Sequence, residues 1–251
     1  MKFLFIIVAL LAVGAATTIA VAGPGTRFGW WDYGTGLAVM RAMKLPAIIL
    51  AGVAGILTLV ALVTGSGLTF LLLVATVAAG GAAMVPFKFE QLVGAYPLIH
   101  DITTDFDNPP AIVAGAKQPR KKSAEYVGRQ EAPRSSLTIA EAQQKAFPDI
   151  KPMVLDISVE EAAKRAQSVI ADMNMDVLQV ERRGEATVIE ATFTSFWFGF
   201  IDDFVVRLTP EGQGTRVDVR SKSRVGLSDL GANAKRIRDF FQRLKLHASK
   251  G

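Results

Sequence analysis

The sequence contains no cysteine and only two histidines, His100 and His247, among its 251 residues. Without cysteine there is no disulfide, no thiolate nucleophile and no lipid-modified cysteine anchor, so thiol chemistry does not indicate a compartment. The G-x-S-x-G, phosphate-loop lysine and H-E-x-x-H motifs are also missing, and no G-x-G-x-x-G follows a strand. These absences remove the sequence signs of common hydrolases, nucleotide-binding proteins and zinc peptidases. A Ser/His/Asp triad stays open, but no spacing nominates one.

Charge is missing from three long apolar runs, at residues 3–22, 45–64 and 68–85. Each run is long enough to cross the roughly 30 Å of hydrocarbon in a bilayer. A mean hydropathy of +0.31 supports membrane insertion. We therefore predict three transmembrane helices within residues 1–87, with Trp30 and Trp31 at a membrane interface.

Two signals give opposite orientations for these helices. Lys2, the first apolar run and the small residues at 20–22 resemble a signal peptide, whose cleavage would leave two spans and export the remainder. The positive-inside rule instead counts three basic residues in the first loop, which favours a cytoplasmic C-terminal domain. A reporter fused after Gly251 would distinguish the two orientations.

The formal net charge is +5, and residues 1–87 carry +3 of it, with four basic residues against one acidic residue. The polar remainder is therefore nearly balanced, which argues against a nucleic-acid-binding surface. Arg216, Arg220, Lys222 and Arg224 share one strand face and could bind lipid phosphates, or they could form a solvated face. The basic run at 117–122 has the same two interpretations, anionic headgroups or solvent.

Apolar and polar residues alternate on both sides of a turn at residues 209–214. This pattern predicts an antiparallel hairpin with one buried face, in which Leu208 pairs with Thr215. The same register places Asp203 opposite Arg220, where we expect a surface ion pair worth about 0–1 kcal/mol.

Residues 151–247 are predicted to form an α+β domain in the order β-α-β-β-β-β-α. An antiparallel sheet with two helices on one face satisfies this order. Ser158 and Glu161 form a capping-box pattern at the start of the first of these helices. Residues 88–150 are predicted to be an extended segment and linker, with one short helix at 136–147.

The run at residues 196–200 holds four aromatic residues and one glycine. It predicts either core packing at a bend between strands or an aromatic tip facing lipid or an apolar ligand, with Trp197 and Phe200 as candidate binding residues. Asp202 and Asp203 follow on opposite faces of the next strand. Asp202 falls on the core-facing parity, so it is either satisfied by backbone donors or forms a site with Arg220 or Arg224.

His100, Asp101 and Asp105 form a candidate polar cluster in an extended stretch that ends at paired prolines. One histidine with widely spaced carboxylates is a weak pattern for a metal site, so we expect no bound metal. Local turn hydrogen bonds made by the aspartates and threonines are the simpler interpretation.

Several motifs together resemble the bacterial domain of unknown function 1499. They are PLIHDITTD at 97–105, AFPDIKP at 146–152, FGFIDD at 198–203, and VDVRS, SRVG and SDLGANA within 217–234. The last motif adds Asp229 and Asn233 to the candidate binding residues. The resemblance implies an integral protein of the bacterial inner membrane with its C-terminal domain in the periplasm, and the cytoplasmic orientation stays open. The loop between the second and third spans lacks the basic residues that such relatives often carry.

These observations predict a membrane-anchored, non-catalytic binding or scaffold module that contacts membrane lipids. We expect no cofactor and no nucleic-acid partner. One alternative is an envelope enzyme that uses Asp202 and Asp203 with Arg220 and Arg224. Another is a structural subunit whose spans assemble with an integral membrane protein or a second copy through small residues, namely Gly52, Gly55, Gly80 and Gly81.

Overall fold

The computed structural model describes residues 1–248, and for His247 and Ala248 it describes the backbone alone. The chain forms two compact units. The first, which we call the helical unit, comprises Met1–Leu92 together with Phe196–Gly199. The second, the sheet unit, comprises Val93–Ser195 and the chain from Phe200 onward.

The helical unit contains four helices: α1 (Lys2–Arg27), α2 (Tyr33–Ala42), α3 (Lys44–Val63) and α4 (Thr69–Ala95). Three segments are long and apolar enough to cross a membrane: Lys2–Arg27, Tyr33–Val63 and Thr69–Ala95. Small residues such as Ala12, Ala54 and Ala75 are buried where the helices meet, because small side chains let helix backbones approach closely. The predicted N-terminal apolar helices are therefore confirmed.

Helix α1 contains a proline that leaves one backbone carbonyl without its helical partner. Pro24 has no N–H, so the carbonyl of Ala20 cannot accept the usual bond from four residues later. The indole Nε1 of Trp197 donates to that oxygen at 3.1 Å. A Cβ atom on Gly23 would lie 2.6 Å from the Trp197 ring, so glycine is required there for the indole to approach.

The residue after this proline is a second close-contact glycine. A Cβ atom on Gly25 would lie 2.0 Å from the ring of Trp31, whose Nε1 donates to the carbonyl of Ala22 at 3.1 Å. We call Gly23, Pro24 and Gly25 the proline notch. It gives the end of α1 two tryptophan contacts, one local and one from a residue far along the chain.

The sheet unit is built on six antiparallel strands: β1 (Asp101–Thr103), β2 (Met153–Leu155), β3 (Asp176–Arg183), β4 (Ala186–Thr194), β5 (Ile201–Glu211) and β6 (Gly214–Ser223). The strand order is β1-β6-β5-β4-β3, and β2 also pairs with β6. Its α-helices are α5 (Ile139–Ala146), α6 (Val159–Asp172) and α7 (Ala232–Ala248). The predicted α+β class is confirmed.

One face of the sheet packs against the apolar sides of α6 and α7. Phe204 and Val219 from the sheet share a core with Ile170 from α6 and Phe240 from α7. Ser158 begins α6 by accepting a hydrogen bond from the N–H of Glu161 at 3.2 Å, so the predicted start of that helix is correct.

The β5–β6 hairpin differs from the predicted register by two residues. Leu208 pairs with Val217, and Pro210 pairs with Thr215. The cause is Gly212, whose φ of 60° lets the chain reverse within two residues, so both strands run further than predicted. Because the difference is an even number, every side chain keeps its predicted face.

The opposite face of the sheet is covered by residues 104–127, which we call the covering segment. Ile112 packs on Val188 and Val205 of the sheet, and Glu190 of β4 accepts the N–H groups of Val113 and Gly115. This differs from the predicted linker at 88–150, because α4 continues to Ala95 and the chain from Val93 onward belongs to the sheet unit. The segment is irregular, yet side chains from the sheet satisfy its backbone.

Strand β3 lies at the free edge of the sheet and pairs only with β4. Val177, Leu178 and Val180 are between 36% and 45% exposed along it. The pairing shifts register between Val177 and Gln179, so Leu178 is an extra, bulged residue.

Because Trp197 satisfies the carbonyl that Pro24 leaves free, the two residues should be energetically coupled. We expect Trp197→Phe to cost about 0.5–1.5 kcal/mol of unfolding free energy for the lost hydrogen bond. In a Pro24→Ala background this cost should fall, since the introduced alanine supplies the missing N–H. The measurement is unfolding of the full chain in mixed micelles by detergent titration.

Trp31→Phe is the matched control for this cycle. It removes a bond to Ala22, whose carbonyl keeps a helical partner at Thr26, so its effect should add to that of Pro24→Ala. Equal coupling for Trp197 and Trp31 would show that the notch acts through packing alone.

Candidate functional site

The candidate polar residues fall into two separate clusters, because successive side chains of a strand point to opposite faces. Asp203 lies under the covering segment, in a covering-side cluster. Asp202 lies on the face that packs against α6 and α7, in a helix-side cluster. The predicted opposite orientation of these two aspartates is correct, and their carboxylates do not share a site.

Asp101 is the centre of the covering-side cluster and is fully buried. Its carboxylate accepts two hydrogen bonds from the guanidinium of Arg220, both at 2.8 Å. It also forms an ion pair with the Lys222 ammonium at 2.9 Å. Burial lowers the pKa of Lys222, although Asp101 opposes this change. The same two cations donate to the covering segment, at the carbonyls of Ala124 and Glu125.

Asp203 forms the second half of this cluster. It accepts from Arg224 Nη2 at 2.7 Å and from Arg120 Nη1 at 2.8 Å. The predicted surface pair between Asp203 and Arg220 is therefore wrong in partner and in exposure, because the two-residue change of register places Lys222 opposite Asp203 and the covering segment excludes solvent.

The helix-side cluster joins β5 and β6 to α7. Arg236 donates to Asp202 at 2.8 Å and also to the Ser221 hydroxyl and the Asn233 side-chain oxygen. Asn233 in turn donates to Ser223. Burial raises the pKa of Asp202, with Arg236 acting in the opposite direction. The predicted core-facing position of Asp202 is correct, but its partner is Arg236, which neither interpretation named: not backbone donors, and not Arg220 or Arg224.

Asp229 holds the turn that begins α7. Its carboxylate accepts the N–H groups of Gly231 at 2.8 Å and Asn233 at 3.0 Å. Leu230 and Gly231 both have positive φ, 54° and 80°, so these bonds secure a backbone conformation that side chains disfavour. Burial raises the pKa of Asp229 to about 6.

His100, Asp101 and Asp105 do not converge on one point. Asp105 bonds to Arg207 at 3.0 Å and accepts the N–H groups of Asp107 and Asn108, as the turn interpretation predicted. Burial and nearby Lys222 lower the pKa of His100 to about 4. Among the side chains that the structure describes, no group of three or more histidine or acidic residues could hold a metal ion.

The aromatic run at residues 196–200 is divided between the two units. Trp197 packs into the helical unit and Phe198 is 7% exposed, which agrees with packing at a bend. Phe196 is 90% exposed, as expected of an aromatic tip. Phe200 belongs to the sheet unit, where its N–H donates to the Ser195 hydroxyl. The proline notch that receives Trp197 could have been recognised in the sequence, where Gly-Pro-Gly directly follows the first apolar run.

Sequence reasoning did not find a cleft of about 440 Å³ in the sheet unit. We call it the aromatic cleft. Its lining contains none of the predicted site residues, and it consists of Thr104, Phe106, Gln144, Phe147, Pro148, Ile150 and Lys151. Two segments far apart in sequence form it, at 104–106 and 144–151. Both coincide largely with motifs already singled out, so their proximity was the missing information.

A comparison with protein families matches residues 101–244 to DUF1499, described as a protein of unknown function. The chain belongs to the DUF1499 family. The matched range begins at β1 and ends within α7, so it contains both clusters, the covering segment and the aromatic cleft. Residues 111–150 are thus part of the DUF1499 domain. A comparison with curated proteins finds no match.

Replacing the buried carboxylate of Asp101 should show how far the stability of the sheet unit depends on its ion pairs. We expect Asp101→Asn to cost about 3–5 kcal/mol, because Arg220 and Lys222 are then buried without a counter-charge. Asp107→Asn, at an exposed position of the covering segment, should change stability by less than about 0.5 kcal/mol. Unfolding of the full chain in detergent micelles measures both, and equal effects would contradict this role of Asp101.

His100 should make stability depend on pH. Its pKa is about 4 in the folded protein against an ordinary 6.5, so below pH 6.5 the unfolded chain binds a proton that the folded chain does not. Stability relative to His100→Gln should therefore fall by about 3 kcal/mol as pH drops from 6.5 to 4. Unfolding curves of both proteins across this range provide the measurement.

The comparison with His100→Gln also cancels an opposing titration. The raised pKa of Asp229 contributes stability at low pH that is lost as pH rises through about 6. This contribution is present in both proteins, so the difference between them reports His100. Parallel stability curves would contradict the burial of a neutral imidazole.

Proposed function

We propose that this DUF1499 protein is a membrane-anchored binding module that holds a small apolar or lipid-like ligand beside the bilayer without transforming it. The observation that carries this proposal is the aromatic cleft, an opening lined mainly by apolar and neutral side chains. A cleft of this volume lies within the range of small-molecule sites, which are mostly apolar with a few polar groups.

The helical unit supports the membrane part of the proposal. Phe28, Trp30 and Phe196 are 65–90% exposed, and Arg27 donates to the carbonyl of Phe196 at 2.6 Å. Exposed aromatic residues with a cation at the end of an apolar helix are typical of the interface between lipid and water. Membrane lipids are accordingly the proposed surroundings of this surface.

The distribution of charge favours binding over catalysis. Asp202 and Asp203 each form an ion pair with buried arginine, on opposite faces of the sheet. The enzyme alternative needs these carboxylates to converge with Arg220 and Arg224 around a substrate. Arg220 instead bonds to Asp101, and none of the four residues lines the aromatic cleft.

If the cleft holds a ligand, full-length protein purified in lipid nanodiscs should retain a small molecule that extraction and mass spectrometry detect. We expect Gln144→Trp, a large substitution at an exposed position of the lining, to remove most of this molecule. The fold should be unaffected, because the Gln144 side chain is outside the core.

Gln242→Trp is the matched control, since Gln242 is also an exposed helical glutamine but does not line the cleft. It should retain the wild-type amount. The proposal fails if no molecule above the empty-nanodisc background is recovered, or if both variants retain it equally.

A further inference from the structure

The aromatic cleft is lined by apolar side chains together with a few hydrogen-bond donors, which restricts what it can bind. Apolar surface comes from Phe106, Phe147, Pro148 and Ile150, and the polar groups come from Thr104, Gln144 and Lys151. The lining can therefore contact both an apolar group and a polar group of one ligand. This inference rests on the proposed binding function and concerns the chemistry of the ligand.

Thr104 offers a buried donor. Its side chain is nearly inaccessible, at 4% exposure, and its hydroxyl oxygen accepts the N–H of Val219 at 2.9 Å. The backbone N–H of Thr104 donates to the Val219 carbonyl at 2.9 Å, so the residue is held firmly to β6. Among the contacts of the described residues, the Thr104 hydroxyl donates to no protein acceptor. A hydroxyl can donate one bond while its oxygen accepts another, and Thr104 lines the cleft, so its proton is available to a ligand there.

Lys151 adds a positive charge at the same cleft. Its ammonium makes no ion pair with any residue that the structure describes. The nearby carboxylate of Asp149 does not neutralise it, because Arg238 binds both oxygens of Asp149, at 2.6 and 2.7 Å. This pairing also lowers the pKa of Asp149. The local charge that is free to meet a ligand is therefore positive.

Arg238 has a second effect on the lining. Its guanidinium lies 5.4 Å from the centre of the Phe147 ring, and Tyr96 stacks on the same ring at 6.0 Å. Both contacts restrain Phe147, which is 3% exposed. Because this wall is already ordered, the protein loses little side-chain entropy when a ligand binds against it.

We propose that the aromatic cleft binds a small amphipathic anion: a molecule with one carboxylate or phosphate group and a compact apolar or aromatic body. The anionic group accepts from the Lys151 ammonium and the Thr104 hydroxyl. The body lies against Phe106, Phe147 and Ile150. Two donors without a competing carboxylate select an anion over a cation, and charge-assisted bonds of this kind are about twice as strong as neutral ones.

The test uses two probes of equal size, 4-(4-fluorophenyl)butyrate and 4-(4-fluorophenyl)butanol, which differ in charge. Their binding to the full chain in lipid nanodiscs is followed by fluorine NMR, with empty nanodiscs as the background. We expect the acid to bind more tightly than the alcohol, by about fivefold or more. Lys151→Met should abolish this preference and leave the alcohol unchanged, while Phe106→Ala should weaken both probes.

Lys145→Met is the control for a general loss of positive charge. Lys145 is an exposed residue of α5 that does not line the cleft, so the preference for the acid should persist. Equal affinity for acid and alcohol would overturn the anion assignment and leave the binding function standing. Failure of both probes to bind above the empty-nanodisc background would overturn the site itself. Retention of a native molecule, measured by extraction, then decides the binding function separately.

Discussion

The carboxylate of Asp101, fully enclosed and bound by Arg220 and Lys222, is the constraint on which the sheet unit depends. It comes from β1 and both cations come from β6, so it fixes the pairing of these strands. The cations also donate to carbonyls of the covering segment, which has almost no regular structure of its own. Burial of charge is costly unless each donor and acceptor is satisfied, and here the irregular backbone supplies the remaining acceptors. The sheet and its covering are therefore held by the same buried anion.

Asp203 repeats this arrangement with Arg224 and Arg120. In both cases one carboxylate serves two cations, and carbonyls of the covering segment take the surplus donors. Arg120, for example, donates to the carbonyls of Gly115 and Lys122. A sheet face that carries several arginines and aspartates can thus be buried with only a small apolar cluster, that of Ile112, Val188 and Val205. This explains why an apparently basic strand face offers no open surface for lipid phosphates.

Local patterns predicted the fold well, since each depends on neighbouring residues. Alternation assigned Phe204 and Val219 to the core even though the register differed by two positions, and Ser158 located the start of α6. The segment at residues 88–150, which was predicted to be a linker, depends instead on residues that are distant in sequence. Its backbone is satisfied by residues about a hundred positions away, such as Arg220 for Pro110, and nothing in its own proline- and lysine-rich sequence reveals them.

In the candidate site, too, local patterns could be predicted and long-range contacts could not. Asp202 could be placed in the core from parity, but its partner Arg236 lies on a helix whose docking angle no pattern specifies. The proline notch joins Ala20 to Trp197 across 177 positions. The aromatic cleft likewise needs residues 104–106 and 144–151 to meet. Motifs therefore identified the segments that matter, and only the tertiary structure showed which of them are neighbours.

The bulge in the outer strand β3 affects how readily the edge of the sheet can pair with a strand of another molecule. Proteins anchored in one bilayer share an orientation and meet repeatedly in two dimensions, so an open strand edge on each copy would tend to zip to its neighbour. The extra residue at Leu178 interrupts the regular spacing of backbone donors and acceptors that such zipping requires. Arg182 and Asp176 add charge at either end. The bulged strand is therefore a poorer template for pairing with another strand than a regular edge of the same length would be.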